Sequence, residues 1–177
     1  MLEPAELEAL GRDLTAVSVL RGSFVLRSGQ TSDYYIDKYL FTTRPEILRR
    51  VAAALAPRVP AEAQRLAGPV LGAVPLVTAL ALETGLPSLI VRTDAPKEYG
   101  TARAIEGQLA AGDRVVLVED VVTTGGAALE ALAVLRQAGA EVRFVLSLID
   151  REQGGAEAFA AAGVPYQPLF TRSQLGL

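Results

Sequence analysis

The sequence has no cysteine, no histidine and no tryptophan, and only two of its 17 basic residues are lysines. Without cysteine the chain can form neither disulfide bonds nor thiolate metal ligands, which leaves the redox compartment open. Without histidine it cannot use imidazole as an acid or base, build a Ser-His-Asp triad or form most kinds of zinc site. These absences exclude a large share of the known hydrolytic and metal-dependent chemistries.

An excess of positive charge and a long apolar run are also missing. The formal net charge of −3 and the isoelectric point near 5.1 disfavour a nucleic-acid partner, although small anionic ligands respond to local fields. The longest nearly apolar run, residues 70–82, is interrupted by Pro75 and is too short to cross a bilayer. The first ten residues, MLEPAELEAL, do not resemble an export signal. We therefore expect a cytoplasmic protein with no membrane partner.

The 177 residues, of which 50% are hydrophobic, fit one domain with a substantial core. Short apolar segments alternate with helical patterns, which predicts an α/β fold with a parallel sheet and helices on both faces. The predicted core strands are residues 70–74, 88–92, 114–119, 142–149 and 165–170. A helix opened by Pro4 and a hairpin within residues 24–40 should form a small N-terminal flap. We assign residues 1–42 to this flap and residues 43–177 to the core.

The stretch VVLVEDVVTTGGAALEAL, residues 115–132, carries the clearest functional signal. An apolar strand ends in Glu119 and Asp120, and Thr123, Thr124 and two glycines then lead into a helix. Ligands of open parallel sheets bind beyond the carboxyl ends of the strands, and a helix N-terminus favours an anion. The loop could therefore bind phosphate while the acids accept hydrogen bonds from hydroxyl groups, as a ribose 5-phosphate requires. The plain alternative is a polar turn in which Thr124 caps the helix.

The segment VVLVEDVVTTGG resembles the phosphoribosyl diphosphate (PRPP) motif of the type I phosphoribosyltransferases. The resemblance implies that Glu119 and Asp120 hold the ribose hydroxyls and that the following loop holds the 5-phosphate. The sequence contains no G-x-x-x-x-G-K-[ST] motif, and no G-x-G-x-x-G motif follows a predicted strand. A nucleoside-triphosphatase or a nicotinamide-dependent dehydrogenase is therefore disfavoured. The PRPP-binding residues implied by the motif, besides the two acids, are Val121, Val122, Thr123, Thr124, Gly125, Gly126 and Ala127.

Three further stretches resemble the orotate phosphoribosyltransferases within this family. In FVLRSGQTSDYYID, Arg27 matches a basic position that contacts substrate, which implies a PRPP-binding residue, and Tyr34 and Tyr35 match an aromatic pair beside the orotate ring. In LSLIDREQGG, Arg151 matches an orotate-binding arginine, whose guanidinium fork suits a planar carboxylate. Thr123 is also an implied orotate contact. Considered without the resemblance, the tyrosines could be packing residues of a hairpin and Arg151 an ordinary surface ion pair.

The third stretch, VRTDAPKEYGTARAIEG, resembles the mobile catalytic loop of the same family. Arg92 and Lys97 match its basic residues, and Tyr99 stands where the family usually has a histidine, so the resemblance implies that all three bind PRPP. One extra residue separates Arg92 from Lys97, and the segment GAVPLV lacks a lysine that the family often carries after the first core strand. A polar loop of this length is unusual in a compact domain unless it acts as a lid.

The resemblance implies transfer of the phosphoribosyl group from PRPP to orotate, with Lys97 and Arg92 as catalytic residues that neutralise the departing diphosphate. It also implies Mg²⁺ carried by PRPP rather than by protein ligands, and a homodimer with shared sites. The rival interpretations are a phosphoribosyltransferase for another base, a non-catalytic PRPP-binding regulator and a purely structural relative. A regulator of this kind should carry a DNA-binding module or a basic face, and the sequence has neither.

Replacement of Lys97 by alanine is expected to lower kcat by roughly 100-fold or more. The reason is that a lost charge contact to the leaving group costs about 3 kcal/mol of transition-state stabilisation. Steady-state kinetics at saturating PRPP measure the effect. An unchanged kcat would contradict the assignment of the catalytic loop.

Overall fold

The structure is a computed structural model, and it describes residues 3–25, 31–93 and 103–177. The helices in these ranges are Pro4–Ser18 (α1), Lys38–Thr42 (α2), Pro45–Leu55 (α3), Ala73–Thr84 (α4), Gly126–Gln137 (α5) and Gly155–Ala161 (α6). The strands are Val19–Val25 (β1), Thr31–Ile36 (β2), Arg65–Pro69 (β3), Ser88–Val91 (β4), Ile105–Glu106 (β5), Arg114–Val122 (β6), Glu141–Asp150 (β7) and Tyr166–Thr171 (β8). Two short 3-10 turns lie at Ala56–Arg58 and Ser173–Leu175.

A six-stranded sheet in the order β5-β4-β3-β6-β7-β8 forms the centre of the fold. Its strands run parallel except β5, which pairs antiparallel with β4. Side chains of β6 alternate between two apolar clusters, with Val116 and Val118 on one side and Val115 and Leu117 on the other. Helices α3 and α4 contribute to the first cluster, and α5 and α6 contribute to the second. The predicted α/β fold class is confirmed.

The N-terminal residues form a helix and a separate two-stranded sheet, as predicted. Helix α1 begins at Pro4 behind a capping box formed by Glu3 and Glu6, and it buries Leu10 and Leu14 completely. Strands β1 and β2 pair antiparallel outside the main sheet. The assignment of residues 1–42 to a flap stays a prediction.

The predicted hairpin extended to Leu40, and this extension is wrong. Strand β2 ends at Ile36, and α2 occupies Lys38–Thr42 instead. The side chain of Asp37 accepts a hydrogen bond of 3.0 Å from the backbone N–H of Tyr39, which caps the start of the helix. A local side-chain cap therefore ends the extended conformation four residues earlier than the hydrophobic pattern indicated.

The first core strand was predicted at residues 70–74, and the structure places it at Arg65–Pro69 instead. Small residues obscure this strand in the sequence, yet Leu66 and Ala67 are fully buried between β4 and β6. A Cβ added to Gly68 would lie 2.9 Å from Val77 Cγ1, so the glycine permits close packing of α4 on β3. Helix α4 starts at Ala73 and tolerates Pro75 because the proline lies in its first turn.

Two other boundaries differ from the predictions. Strand β6 continues to Val122 rather than ending at Glu119, because it keeps pairing with β7 as far as Asp150. The polar segment 93–108 contains a short strand at its end, β5, which pairs with β4. None of the helices within the described ranges is long and apolar enough to cross a membrane.

Candidate active site

The predicted site residues converge on one edge of the sheet, where the parallel strands have their carboxyl ends. Arg92 directly follows β4, Glu119 and Asp120 lie in the last part of β6, and Arg151 directly follows β7. The backbone N–H of Arg151 donates a hydrogen bond of 2.8 Å to the carbonyl of Val122, which ties the ends of β6 and β7 together. Adjacent strands therefore bring acidic and basic groups to one edge.

Glu119 and Asp120 are both buried, at 6% and 1% exposure. Glu119 Oε1 accepts a hydrogen bond of 3.1 Å from the Asp120 N–H, and Asp120 Oδ1 accepts one of 2.6 Å from the Val121 N–H. Asp120 Oδ2 lies 2.9 Å from Lys38 Nζ, but it accepts no well-directed hydrogen bond. The acid pair is therefore only partly satisfied by the protein.

Burial raises the pKa of the Glu119 carboxyl well above its ordinary value, and the neighbouring charge of Asp120 adds to the rise. Lys38 opposes this rise through its positive charge. Two adjacent carboxylates in a desolvated site cannot both ionise without cost, and Asp120 has the closer cation. The geometry therefore places a buried carboxyl with a raised pKa, Glu119, directly beside the Asp120–Lys38 ion pair.

The TTGG loop leads into helix α5 without a side-chain cap. The residue preceding the helix is Gly125, in the left-handed conformation with φ of 82°, and no side chain caps the helix there. The alternative in which Thr124 caps this helix is therefore wrong. Thr124, Gly126 and Ala127 are exposed, which leaves the backbone N–H groups of the first turn accessible to an anion. One small concavity is lined by Glu119, Val121, Val122, Thr123, Gly125, Gly126 and Ala127.

Arg151 is buried at 7% exposure and contacts Tyr34 of the N-terminal hairpin. Its Nη2 donates a hydrogen bond of 3.2 Å to the Tyr34 hydroxyl, and its guanidinium carbon lies 5.1 Å from the centre of the Tyr34 ring. Tyr35, the next residue of β2, points to the other side, where it is 43% exposed and packs on Phe24 at 5.6 Å. The structure therefore brings Tyr34 and Arg151 together but separates Tyr35 from them.

Unsatisfied polar atoms concentrate at this edge of the sheet. Within the described ranges, four buried side-chain nitrogen or oxygen atoms accept or donate no well-directed hydrogen bond: Thr42 Oγ1, Arg92 Nε, Asp120 Oδ2 and Arg151 Nε. Of these, Asp120 Oδ2 is ion-paired with Lys38. Three of the four belong to residues that the sequence predicted to bind substrate. A buried polar atom without a partner costs free energy, and a bound ligand is one explanation for its persistence.

The predicted loop residues are only partly covered by the structure. The backbone N–H of Arg92 donates a hydrogen bond of 2.8 Å to the carbonyl of Ala104, which closes the base of the segment between them. Arg27, Lys97 and Tyr99 lie outside the described residues. Their assigned roles stay predictions.

Lys38 and Gly72 are site residues that the sequence analysis did not assign. Lys38 reaches the acid pair from α2, and Gly72 lies in the turn between β3 and α4. A Cβ on Gly72 would lie 1.9 Å from Asp120 Oδ2 and 2.4 Å from Lys38 Nζ, so that turn directly abuts the ion pair. The scarcity of lysine was the one sequence signal that could have pointed to Lys38.

Comparison with known proteins agrees with this geometry. Residues 41–161 match the phosphoribosyl transferase domain family, so the greater part of the chain is a phosphoribosyltransferase domain. The orotate phosphoribosyltransferase of Halobacterium salinarum is 51% identical over 160 residues, which cover 90% of each chain. That of Natronomonas pharaonis is 49% identical over 164 residues, covering 93% of this chain and 92% of the relative.

Solved structures show the same relationship in three dimensions. The crystal structure of the Mycobacterium tuberculosis orotate phosphoribosyltransferase in complex with PRPP superimposes with a TM-score of 0.82 at 30% identity. The match covers 97% of this chain and 99% of the other. The protein therefore belongs to the orotate phosphoribosyltransferase family.

The raised pKa of Glu119 predicts a pH-dependent effect of the substitution Glu119→Gln on stability. A carboxyl whose pKa is higher in the folded state favours folding below its ordinary pKa, and this contribution is lost as the pH rises through the folded value. Glutamine carries no such dependence. As the pH rises from about 4.5 to 8, the melting temperature of the variant should therefore rise relative to that of the wild type by a few degrees. A change of about 1 kcal/mol in the free energy of unfolding shifts the melting temperature of a domain of this size by about 2–4 °C.

Thermal unfolding of both proteins across this pH range checks the prediction. Glu130→Gln is the matched control, because Glu130 is an exposed acid on α5 and its replacement removes the same charge. The melting temperature of the control should differ from that of the wild type by the same amount at every pH. A difference between Glu119→Gln and the wild type that stays constant with pH would contradict the assigned shift.

Proposed function

We propose that this protein catalyses the transfer of the 5-phosphoribosyl group from PRPP to orotate, giving orotidine 5′-monophosphate and diphosphate. This is a reaction of pyrimidine biosynthesis. The main support for the proposal is the buried guanidinium of Arg151, whose Nε has no hydrogen-bond partner. Arg151 directly follows β7, the strand that pairs with the strand of the acid pair. A substrate with a planar carboxylate and a substrate with ribose hydroxyls could both be held at this edge.

The PRPP site is proposed from the acid pair and the loop after it. The 5-phosphate would lie at the start of α5, where Thr123 to Ala127 offer backbone N–H groups and two hydroxyls. The ribose hydroxyls would donate to Glu119 and Asp120, whose Oδ2 has no well-directed hydrogen bond in the free protein. The loop would thus offer hydrogen-bond donors to the phosphate, and the acid pair would offer acceptors to the hydroxyls of the same sugar.

The orotate site is proposed around Arg151 and Tyr34. The guanidinium would bind the carboxylate of orotate, while the Tyr34 ring and hydroxyl hold the arginine in place. Thr123 directly follows β6 and could contact the base from the side of the sugar. Tyr35 points away from Arg151, which supports a weaker role for it than the aromatic pair in the sequence suggested.

The chemistry would depend on charge stabilisation rather than on a general acid or base. The bond between the anomeric carbon and diphosphate would break, and diphosphate would leave with the bonding electrons. The ring nitrogen of orotate would bond to that carbon and give its proton to the departing diphosphate. Positive charge develops on the sugar and negative charge on the leaving group, so that Arg92 and Lys97 would stabilise the departing diphosphate. Absence of histidine is compatible with this mechanism.

Mg²⁺ is proposed as a cofactor that enters with PRPP. The acids described at the site are Glu119 and Asp120, and Asp120 already pairs with Lys38, so the ion would take its oxygen ligands mainly from diphosphate and water. Bound in this way, it would neutralise charge on the leaving group. Protein residues would then hold the sugar, while the metal ion would act on the leaving group.

A homodimer in the cytoplasm is the proposed state of the protein. The homodimer rests on the family, in which the catalytic loop typically reaches the neighbouring subunit's site, whereas the cytoplasmic location is the expectation already drawn from the sequence. Sedimentation of the protein at the concentration used for activity measurements tests the assembly. A fully active monomer would refute the shared site.

A spectrophotometric assay of orotate consumption tests the proposed function. Turnover should require orotate, PRPP and Mg²⁺ together, and omission of each in turn separates transfer from background loss. Adenine, hypoxanthine and uracil serve as competing bases, and none should replace orotate. Tight binding of PRPP without product formation would instead support a non-catalytic regulator.

Replacement of Arg151 by methionine should raise the KM for orotate by about 10- to 100-fold, because hydrogen bonds to charged groups contribute about 1.5–3 kcal/mol. The KM for PRPP should change little. Arg151→Lys should recover only part of the loss, since lysine cannot form the bidentate contact. Arg172→Met is the control, because Arg172 is an exposed arginine beyond the end of the adjacent strand β8. Equal increases in the KM for orotate and in the KM for PRPP would argue against a contact between Arg151 and the carboxylate of orotate.

A further inference from the structure

Lys38 lies at the acid pair rather than on the open surface. It is the first residue of α2, and the Asp37 cap orients the start of this helix. Its Nζ lies 2.9 Å from Asp120 Oδ2, and its side chain is 34% exposed whereas that of Asp120 is 1% exposed. One side of the ammonium group therefore faces a buried carboxylate, and the rest of the side chain remains accessible.

The ammonium group stays charged in this position. Burial lowers the pKa of Lys38, but attraction to Asp120 outweighs this and leaves the pKa above its ordinary value. An ammonium group has three N–H donors, and Asp120 provides its one ion-pair contact within the described ranges. The charge of Glu119 and the Tyr39 ring, centred 5.9 Å away, also interact with it. Lys38 therefore has donor capacity left for an anion.

The turn between β3 and α4 leaves room for this ion pair. Gly72 has φ of −65° and ψ of −37°, a conformation open to any residue, so its backbone does not demand glycine. A side chain there would collide with Asp120 Oδ2 and with Lys38 Nζ. The turn itself, residues 70–72, contains no basic residue. The cation beside this turn is therefore supplied by the N-terminal segment.

The position of Lys38 fits one end of a sugar diphosphate. The TTGG loop follows β6 and offers its N–H groups at the start of α5. Lys38 lies on the other side of the acid pair, against the turn that follows β3, the neighbouring strand. If the ribose hydroxyls bind the acids and the 5-phosphate binds the loop, the group on the anomeric carbon points towards that turn and its lysine.

We propose that Lys38 is a PRPP-binding residue that holds Asp120 in the free protein and contacts a diphosphate oxygen of bound PRPP. This inference rests on the proposed function of the acid pair and adds a residue of the N-terminal segment to the site. The positive charge would thus attract the substrate's diphosphate as well as stabilise the acid that binds its ribose.

Calorimetric binding of PRPP and of ribose 5-phosphate to the full chain, both with Mg²⁺, tests the proposal. Ribose 5-phosphate keeps the sugar and the 5-phosphate but lacks diphosphate. Lys38→Met should weaken PRPP binding by about 10- to 100-fold, as expected for a charged hydrogen bond, and should leave ribose 5-phosphate binding within about threefold. Lys38→Arg should restore most of the PRPP affinity. Arg49→Met, which removes an exposed charge from α3, should bind PRPP like the wild type.

Equal weakening of both ligands in Lys38→Met would overturn the diphosphate contact and reduce Lys38 to a support for Asp120. Unchanged PRPP binding would overturn it as well. If Lys38→Met does not fold, Lys38→Gln answers the same question, because it too removes the charge. Failure of the wild type to bind PRPP would instead refute the proposed function, so the two failures are distinguishable.

Discussion

Burial of two adjacent carboxylates at the end of a central strand is the constraint on which the site depends. Glu119 and Asp120 repel each other and lose hydration, and consecutive residues of a strand point to opposite faces of the sheet. Backbone N–H groups and the ammonium group of Lys38 compensate only in part. Because Lys38 belongs to the N-terminal segment, docking of that segment and the ionisation of the acid pair are thermodynamically linked.

The sequence predicted the core of the fold well because its long Val- and Leu-rich strands are buried on both faces. It failed where tertiary pairing overrides the local pattern. Strand β3 is short and built from small residues, and β5 has two residues held by the edge of β4, so neither shows a strong apolar run. The end of β6 was placed too early because buried acids interrupt its apolar pattern, although the pairing with β7 continues past them.

The candidate site was largely foreseen from motifs, since Glu119, Asp120, the TTGG loop and Arg151 meet at one edge of the sheet. The different settings of Tyr34 and Tyr35 could not be read from the sequence, because they depend on which face of the hairpin meets β7. The contact of Lys38 with Asp120 was also hidden, since it joins residues far apart in the chain. Contacts between segments far apart in the chain can be identified only from the folded structure, whereas local motifs can be recognised in the sequence.

The short pairing of β4 with β5 has a consequence for how this site can evolve. The hydrogen bond from the Arg92 N–H to the Ala104 carbonyl brings the two ends of the intervening segment side by side. Residues can be inserted or removed between such anchored ends without shifting the sheet, at a modest entropic cost. An extra residue between Arg92 and Lys97 can therefore be accommodated within this segment, because the pairing of β4 with β5 fixes the positions of the flanking residues Arg92 and Ala104.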